Sequence, residues 1–240
     1  MNILILGYGK MGKIISELAE SRGHTIAAKI NIDNRDELLE LDPNTIDVAI
    51  EFSQPEAAIE NIKWALERGI PSGSGTTGWI SKKPEINRLT LEKNGAFFYA
   101  SNFSIGVNIF FKVNELLSKL MNETKGYLVS LEEIHHTEKK DAPSGTAITL
   151  AQGILKNYKS LKDWHLVGEG EENSQTLPIT AKRIDPAPGT HIVKYSSPID
   201  DIEITHTAHS RQGFALGAVL VAEWIKGKKG VLSMDDFLLF

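Results

Sequence analysis

The chain has 240 residues, of which 41% are hydrophobic, with a formal net charge of -5 and no cysteine. This length and composition allow one large domain or two small ones with a buried core, and the acidic balance argues against a nucleic-acid partner. Disulfides, thiolate metal sites and cysteine nucleophiles are excluded. No basic-apolar leader and no apolar run of about 18 residues occurs, so we expect neither a signal peptide nor a membrane span, and a cytoplasmic location.

Residues 1–100 alternate between short apolar runs and segments of helical periodicity. Residues 2–6 predict a strand, and residues 11–20 predict a helix because apolar side chains recur there at helical spacing. Further elements are predicted as strands at 25–30, 47–52, 70–73 and 96–99 and a helix at 57–68. Strands that alternate with helices in this way favour a parallel sheet.

The pattern changes after residue 104. Residues 105–121 predict a long helix whose apolar stripe comprises Ile105, Ile109, Val113, Leu116, Leu117 and Leu120. Extended, alternating segments are then predicted at 127–136, 176–183, 191–196 and 201–206, with one helix at 146–158. Mostly antiparallel pairing is therefore expected in this region. Residues 168–174 (GEGEENS) form a loop-rich stretch, and residues 215–226 return to a helix.

These patterns predict an α/β fold with two domains. Residues 1–103 and 211–240 are expected to form a Rossmann-type domain with a parallel sheet, closed by the last helix. Residues 104–210 are expected to form an inserted α+β domain with a mostly antiparallel sheet.

The first chemical signal is GYGKMG at residues 7–12, which matches G-x-G-x-x-G directly after a predicted strand and before a helix. Gly7 permits a tight turn, Gly9 lets the backbone approach a pyrophosphate, and Gly12 permits close packing of helix on sheet. The helix N-terminus then faces the anion. The motif predicts a dinucleotide site, although a glycine-rich turn without a ligand has the same local sequence.

The second predicted strand normally ends in a carboxylate that bonds the ribose of the dinucleotide. In this sequence Asn31 stands at that position, and Asp33 is expected to follow two residues later on the same strand face. SGSGTTGW at residues 72–79 offers small residues at another strand end and contributes to a ligand crevice, or else is only a flexible loop. In SNFSIGVN, residues 101–108, Ser104 is a candidate helix cap.

EEIHHTEKKDAPSGTA, residues 132–147, combines two histidines, two lysines and a helix start. His135 and His136 alternate across a strand, so only one of them can face a given site. Lys139 offers a point charge or a proton. Each histidine alone is more often a satisfied core or interface residue. A metal site is not expected, because neither this pair nor His206 with His209 has the spacing of a helical metal motif.

The same stretch contains a capped helix start. Ser144 or its neighbour caps the predicted helix, and Pro143 sets the approach of the chain. Gly145 removes side-chain obstruction, so the backbone N-H groups of Gly145 and Thr146 are available for a carboxylate. The residues therefore predict an anion-binding site.

Six motifs in order along the chain, GYGKMGK, DVAIEFS, SGTTGW, SNFSIGVN, EEIHHTEKKDAPSGTA and HSRQGFALGAVLVAEWIKGKKG, resemble the 4-hydroxy-tetrahydrodipicolinate reductase (dihydrodipicolinate reductase) family. The resemblance implies reduction of a cyclic imine dicarboxylate by NADH or NADPH with loss of water, in diaminopimelate and lysine synthesis. It also implies an inserted domain that binds the substrate and assembles a homotetramer, and hinge closure near Phe103 and Arg211.

The resemblance also implies roles for individual residues. His135 corresponds to the catalytic acid/base, Lys139 to the proton donor, and His136, Ser144, Gly145 and Thr146 to the substrate-binding residues. The implied cofactor-binding residues are Gly7, Tyr8, Gly9, Lys10, Met11, Gly12, Asn31, Asp33, Phe52, Gly75, Thr76, Thr77, Ser101, Asn102 and Phe103.

Two residues depart from the family pattern. Asn31 replaces the usual acidic residue, which leaves the choice between NADH and NADPH open, and Trp79 follows GTTG where other residues are usual. Three alternatives remain at this point: another two-domain Rossmann oxidoreductase, a catalytically inactive nucleotide sensor, and an interaction module. The DAPSGTA run argues against the first, and the intact His135 and Lys139 argue against the second. Two anion-binding motifs argue against the third.

Overall fold

The computed structural model describes residues 1–168 and 173–240, so part of the predicted loop at 168–174 lies outside the described residues. The elements of the described part are, in chain order, β1 (Asn2–Leu6), α1 (Lys10–Ser21), β2 (Thr25–Ile30), β3 (Val48–Glu51), α2 (Pro55–Glu67), β4 (Ser72–Ser74), α3 (Lys83–Glu92), β5 (Ala96–Tyr99), α4 (Ile105–Asn122), β6 (Leu128–His135), α5 (Gly145–Asn157), β7 (Asp163–Leu166), β8 (Thr176–Arg183), β9 (Gly189–Ser196), β10 (Asp201–Ala208), α6 (Gln212–Ile225), β11 (Gly230–Leu232) and α7 (Met234–Leu238).

The chain divides into two compact units. The nucleotide unit, as we call it from its glycine motif, comprises Met1–Ile105 and Gln212–Phe240, and the inserted unit comprises Gly106–Arg211. Within the described residues, no helix has the length and apolar character needed to cross a membrane.

The nucleotide unit contains a parallel sheet with strand order β11-β5-β4-β3-β1-β2. β1 is buried on both faces because its side chains alternate: Ile3 and Ile5 pack into one core cluster, and Leu4 and Leu6 into another. This arrangement confirms the predicted Rossmann-type fold. The pattern gave no sign of α3, since its sequence KPEINRLTLE buries only Ile86 and Thr90.

The inserted unit contains a mixed sheet with strand order β10-β9-β6-β8-β7 in the described part of the chain. The expected antiparallel pairing holds for β6 with β9 and for β9 with β10. β8, in contrast, is parallel to both β6 and β7. The chain passes through α5 after β6, and a crossover of this kind returns the next strands in the same direction. Residues of α4 and α5 pack against β6, β8 and β9 to form the core of this unit.

The apolar stripe of α4 lies largely outside this core. Ile109, Val113, Leu116 and Leu120 are 42–61% exposed, whereas the buried residues of the helix include Asn114 and Ser118. These two polar side chains donate hydrogen bonds to carbonyl oxygens of α5, at Leu150 and Gly153. The buried face of α4 thus combines these two polar side chains with Val107, Phe110 and Met121, and the apolar stripe remains available for another partner.

Candidate active site

The turn between β1 and α1 is built so tightly that two of its glycines have no substitute. Gly7 has φ +99°, and a Cβ atom there would lie 2.1 Å from the carbonyl oxygen of Phe52. A Cβ atom at Gly12 would lie 2.1 Å from the carbonyl oxygen of Gly7. Gly9, by contrast, has no atom within 4 Å of its Cβ position. It is the N-cap residue of α1, and no side-chain hydrogen bond caps this helix. The helix N-terminus is therefore accessible through Gly9 to an anion.

Two cavities, each of about 420 Å³, lie where β1, β2, β3 and β4 end. The first is lined by Gly7, Gly9, Ile30, Asn31, Ile32, Arg35, Phe52, Ser53, Gln54, Glu56, Ala57 and Asn61. The second is lined by Gly9, Lys10, Met11, Phe52, Ser53, Gln54, Pro55, Gly75, Thr76 and Thr77. Because four lining residues are common to both, the cavities form one crevice at the carboxyl end of the sheet. We call it the cofactor crevice; its position is the one that Rossmann-type sheets use for dinucleotides.

Several of the predicted cofactor residues do not line this crevice: Tyr8, Gly12, Asp33, Ser101, Asn102 and Phe103. The prediction that Asp33 continues the strand face is wrong, because β2 ends at Ile30 and Asp33 lies in the first turn of a 3-10 helix, Ile32–Leu39, capped by Asn31. Phe103 is buried against Phe52 and Phe98, with ring centroids 5.3 and 5.7 Å away, so its ring is a core side chain.

The basic residues near Asn31 have different surroundings. Arg35 lines the crevice, and its Nη1 donates a hydrogen bond of 2.9 Å to Oδ1 of the buried Asn61. Lys29 instead lies 5.3 Å from the ring centroid of Tyr8 and 3.5 Å from the carboxylate of Glu20. Arg35 is thus oriented toward the crevice by its partner.

The second candidate site is a buried polar cluster on the inserted unit. Glu133 and His135 lie two residues apart on β6 and are both buried. β9 places His191 opposite Glu133, and β8 places Arg183 beside His135. The spacing of Glu133 and His135 was visible in the sequence as strand alternation. Their partners were not predicted, because they come from strands 50 residues away and depend on register.

Glu133 connects the members of this cluster. Its Oε1 accepts a hydrogen bond from Nη2 of Arg183 at 3.2 Å, and its Oε2 accepts one from the backbone N-H of Ser144 at 3.0 Å. Nδ1 of His135 lies 3.5 Å from Oε2, and Nε2 of His191 lies 3.8 Å from it. The carboxylate has no exposed surface. A buried carboxylate requires such partners, and they fix its position.

Burial disfavours the protonated form of both histidines of the cluster. Burial lowers the pKa of His135, and the charge of Glu133 opposes this effect only in part. The pKa of His191 falls to about 4, mainly through burial and then through the nearby His135. When His135 does take up a proton, its lowered pKa makes the ring a stronger acid than an ordinary histidine.

The start of α5 is next to this cluster. Ser144 is buried: its N-H bonds Glu133, and its Oγ accepts the N-H of Ala147 and lies 3.1 Å from His191 Nε2. Ser144 is therefore the helix cap, as one of the two predicted candidates for that position, and its expected substrate contact stays a prediction. Gly145 is exposed, with no atom within 4 Å of its Cβ position, and Thr146 is partly exposed. The helix start is thus open at these two residues.

The neighbouring residues His136 and Lys139 occupy different environments. His136 lines a separate cavity of about 510 Å³ together with Thr137, Glu138, Asp185, Pro186, Pro188, Ser210 and Arg211. Lys139 is mostly buried, and its Nζ lies 2.8 Å from both carboxylate oxygens of Asp141. β6 ends at His135, which is buried, and the next residue, His136, lies just after the strand and is partly exposed.

Glu133, His135 and His191 each offer an atom to a metal ion, and these atoms lie within 4.8 Å of one another. No metal site was expected in the sequence. The guanidinium of Arg183 is bonded to the same carboxylate, and Lys139 and Arg183 both act on His135 as positive charges. These two cations oppose the entry of a third.

The parallel sheet with its glycine turn and crevice, together with a buried histidine-carboxylate cluster on a second unit, defines a two-unit protein of the Rossmann class. Two family models match the chain: "Dihydrodipicolinate reductase, N-terminus" over residues 1–103 and "Dihydrodipicolinate reductase, C-terminus" over residues 106–238. The chain belongs to the dihydrodipicolinate reductase family, whose enzymes are NAD(P)H-dependent oxidoreductases.

Individual relatives agree with this family. A 4-hydroxy-tetrahydrodipicolinate reductase of Christiangramia forsetii is 50% identical over 99% of this chain and 98% of its own. One from Methanocaldococcus jannaschii is 37% identical over 80% of this chain and 71% of its own. A dipicolinate-bound dihydrodipicolinate reductase from Paenisporosarcina sp. TG-14 has the same fold, with a TM-score of 0.78 and 21% identity over 99% of both chains.

Proposed function

We propose that this chain reduces 4-hydroxy-tetrahydrodipicolinate to tetrahydrodipicolinate with loss of water, in the synthesis of diaminopimelate and lysine. The observation that carries the proposal is the 50% identity, over almost the whole of both chains, to a relative named for this activity. The local geometry supports it, because the nucleotide unit offers a dinucleotide crevice and the inserted unit offers a helix start beside an ionisable cluster.

The cofactor crevice suits the backbone approach that a dinucleotide needs. Gly7 and Gly12 allow the turn that no larger residue permits, and Gly9 leaves the start of α1 open. We assign NADH and NADPH to this crevice, with Lys10 and Met11 at the helix start and Gly75, Thr76 and Thr77 on the opposite wall. When bound, the nicotinamide supplies the hydride, and the protein supplies position and charge.

The start of α5 is proposed to bind one substrate carboxylate. The N-H groups of Gly145 and Thr146 point out of a helix N-terminus, where an anion is favoured. Gly145 carries no side chain that would obstruct a ligand. His136, in the cavity that also contains Arg211, is the proposed contact for another part of the dicarboxylate. The substrate class is thus a small dicarboxylate, and the dipicolinate bound to the Paenisporosarcina protein belongs to the same class.

His135 is the proposed catalytic acid/base, with Lys139 as the proton donor or positive charge. Addition of hydride to a conjugated imine leaves an electron-rich enamine, which requires a proton. The lowered pKa of His135 makes its protonated ring a stronger acid, and the carboxylate of Glu133, 3.5 Å from Nδ1, favours the protonated form through its charge. Lys139, kept in place by Asp141, stabilises negative charge that develops on the substrate.

A homotetramer built through the inserted unit is also part of the proposal. The apolar stripe of α4, with Leu116 and Leu120 each about 60% exposed, would be covered by another copy. Sedimentation or light scattering of the purified protein tests this point. A monomer at micromolar concentration contradicts it.

A coupled assay tests the proposed reaction. Aspartate semialdehyde, pyruvate and the preceding synthase generate the substrate, and loss of nicotinamide absorbance then reports reduction. We expect turnover that requires the synthase and that pyridine-2,6-dicarboxylate inhibits. Turnover with amino-acid or semialdehyde substrates of other dehydrogenases, and none in the coupled assay, would assign the chain to a different reaction.

A further inference from the structure

The turn that contains Gly75, Thr76 and Thr77 is held by two hydrogen bonds of Thr76 to residues outside the crevice. Thr76 lines the cofactor crevice, yet its side chain is buried. Its Oγ1 donates to Glu51, and its carbonyl oxygen accepts a hydrogen bond from the indole of Trp79. Neither Glu51 nor Trp79 lines the crevice itself.

We infer that Glu51 and Trp79 are positioning residues that hold Thr76 and its turn in the conformation that receives the cofactor. The inference rests on the proposed cofactor role of the crevice. We call the three residues Glu51, Thr76 and Trp79 the Thr76 clamp.

Glu51 is the first half of the clamp. It ends β3 with 0% of its surface exposed. Its carboxylate accepts hydrogen bonds from Ser74 Oγ at 2.6 Å, from Thr76 Oγ1 at 3.0 Å, and from the backbone N-H and the hydroxyl of Ser53. Ser53 N-H also donates to Thr76 Oγ1 at 2.8 Å. The carboxylate thus joins the two strand ends that form opposite parts of the crevice wall.

The choice of a carboxylate at this position favours a positioning role over simple packing. Burial raises the pKa of Glu51, because the charged form is costly to desolvate, while the Ser53, Ser74 and Thr76 hydroxyls lower it. Replacement of a buried ionic group by a well-packed apolar residue is often neutral or stabilising, so stability alone does not call for a carboxylate here. A carboxylate can instead accept hydrogen bonds from Ser53, Ser74 and Thr76 at the same time, and these directional bonds fix the three residues relative to one another.

Trp79 is the second half of the clamp and accounts for the departure from the family pattern after GTTG. The indole is 2% exposed, and Nε1 donates a hydrogen bond of 2.7 Å to the carbonyl oxygen of Thr76. Its ring lies 6.1 Å from that of Phe97 and 5.4 Å from that of Tyr99. The aromatic neighbours therefore fix the position of the ring, and the hydrogen bond from its N-H group restrains the carbonyl group of Thr76.

The expected benefit is preorganisation. A turn already ordered in the free protein spares the cofactor the entropy of ordering it, which improves affinity without a new contact. Loss of one such hydrogen bond is expected to weaken cofactor binding by about threefold to tenfold. Substrate binding on the inserted unit should not change.

Trp79→Phe tests the indole bond, because phenylalanine keeps an aromatic ring but lacks the N-H. Trp64→Phe is the matched control: Trp64 is a buried indole of the same unit whose Nε1 has no hydrogen-bond partner among the described residues. We expect the dissociation constant for NADH, from fluorescence titration, to rise about threefold to tenfold in the first variant only. An unchanged constant, or an equal rise in Trp64→Phe, overturns the role of Trp79.

Thr76→Val and Thr76→Ser test the other bond and remain informative if Trp79→Phe does not fold. Valine keeps the shape but removes the hydroxyl that bonds Glu51, whereas serine keeps the hydroxyl. Thr90→Val controls for loss of a buried threonine hydroxyl in the same unit, where Oγ1 bonds Ile86. We expect weaker NADH binding in Thr76→Val, recovery to within about twofold in Thr76→Ser, and no change in Thr90→Val. Equal binding in all three contradicts the clamp.

Gly9→Val separates failure of the clamp from failure of the proposed cofactor site. The Cβ position of Gly9 is free of contacts and φ is -85°, so the chain should fold while the new side chain obstructs the crevice. If Gly9→Val binds NADH normally, the cofactor site is wrong. If it abolishes binding while Trp79→Phe and Thr76→Val have no effect, the clamp alone is wrong.

Discussion

Oε2 of the fully buried Glu133 lies 3.5 Å from Nδ1 of His135. Burial lowers the pKa of His135, and the negative charge of Glu133 is the main effect that raises it. The carboxylate itself is held by Arg183 and by the N-H group of Ser144. The proton affinity of His135 therefore depends on a residue that no ligand needs to touch.

Glu133→Gln is expected to change the pH profile of turnover. Without the negative charge, the pKa of His135 falls further, so a smaller fraction of the enzyme carries the donor proton at neutral pH. We expect kcat at pH 7 to fall about tenfold and the decline of kcat with rising pH to begin at lower pH. Glu132→Gln is the control, since Glu132 is the neighbouring carboxylate and pairs with Lys182 at 2.7 Å. A profile identical to that of wild type would remove Glu133 from the mechanism.

His135→Ala and Lys139→Ala are each expected to lower kcat by about 10²-fold or more, because each removes a proposed proton or charge from the reacting centre. NADH affinity should stay nearly unchanged, since the cofactor crevice lies on the other unit. Steady-state kinetics with a separate NADH titration measures both quantities. Lys140→Ala, at the adjacent exposed lysine, should retain activity. Near-wild-type turnover, or parallel loss of cofactor binding, in either main variant contradicts the assigned role.

Gly145→Val is expected to raise KM for the substrate and to weaken inhibition by pyridine-2,6-dicarboxylate. The Cβ position has no atom within 4 Å, so the variant should fold, and its branched side chain would occupy the open start of α5. Gly145→Ala provides a graded comparison with a smaller effect. Inhibition constants and melting temperatures of the two variants give the answer. If inhibition is the same in both as in wild type, no carboxylate binds at this helix start.

Arg35→Ala is expected to weaken NADPH selectively. Arg35 lines the cofactor crevice near Asn31, which bears no negative charge to repel a 2'-phosphate. In wild type we expect the two specificity constants to differ by no more than about tenfold. Lys29→Ala is the control, because Lys29 is directed to Tyr8 and Glu20. A wild-type preference beyond about a hundredfold, or equal losses for both cofactors in Arg35→Ala, refutes this assignment.

Acid should destabilise the inserted unit through His191. Its pKa in the folded protein is about 4, whereas the ordinary value is 6.5. Between pH 6.5 and pH 4 the unfolded chain therefore binds a proton that the folded chain does not. Stability from this residue is complete above pH 6.5 and is lost as pH falls toward 4, by up to about 3 kcal/mol. His191→Gln should flatten this decline in denaturant titrations, whereas His209→Gln, at an exposed histidine, should not. An equally steep decline in His191→Gln would contradict the burial argument.

Local chemistry was enough to predict several features of this protein. The turn at Gly7 and Gly12 follows from a strand, a glycine pattern and a helix in direct succession, and it occurs where expected. The helix that begins after Ser144 and the difference in burial between His135 and His136 are likewise properties of short segments. A period of two or of 3.6 residues determines these directions without reference to the rest of the chain.

Other features were not predicted correctly from the sequence. The apolar stripe of α4 did not indicate its buried face, because Asn114 and Ser118 bond to α5 through carbonyl groups that no side-chain pattern reveals. α3 has too few apolar residues for periodicity to show it. Asp33 was placed on a strand that in fact ends at Ile30, since the Asn31 cap begins a 3-10 helix there.

The long-range contacts of both polar networks depend on tertiary structure. Glu133 meets His191 and Arg183 only because β9 and β8 pair with β6 in one register, and a shift of one residue would turn each side chain to the other face. Glu51 meets Thr76 in the same way, through the adjacent ends of β3 and β4, whereas Trp79 and Thr76 lie only three residues apart in the turn after β4. The sequence supplied the ionisable and small residues, and strand pairing between distant segments selected which of them act on one another.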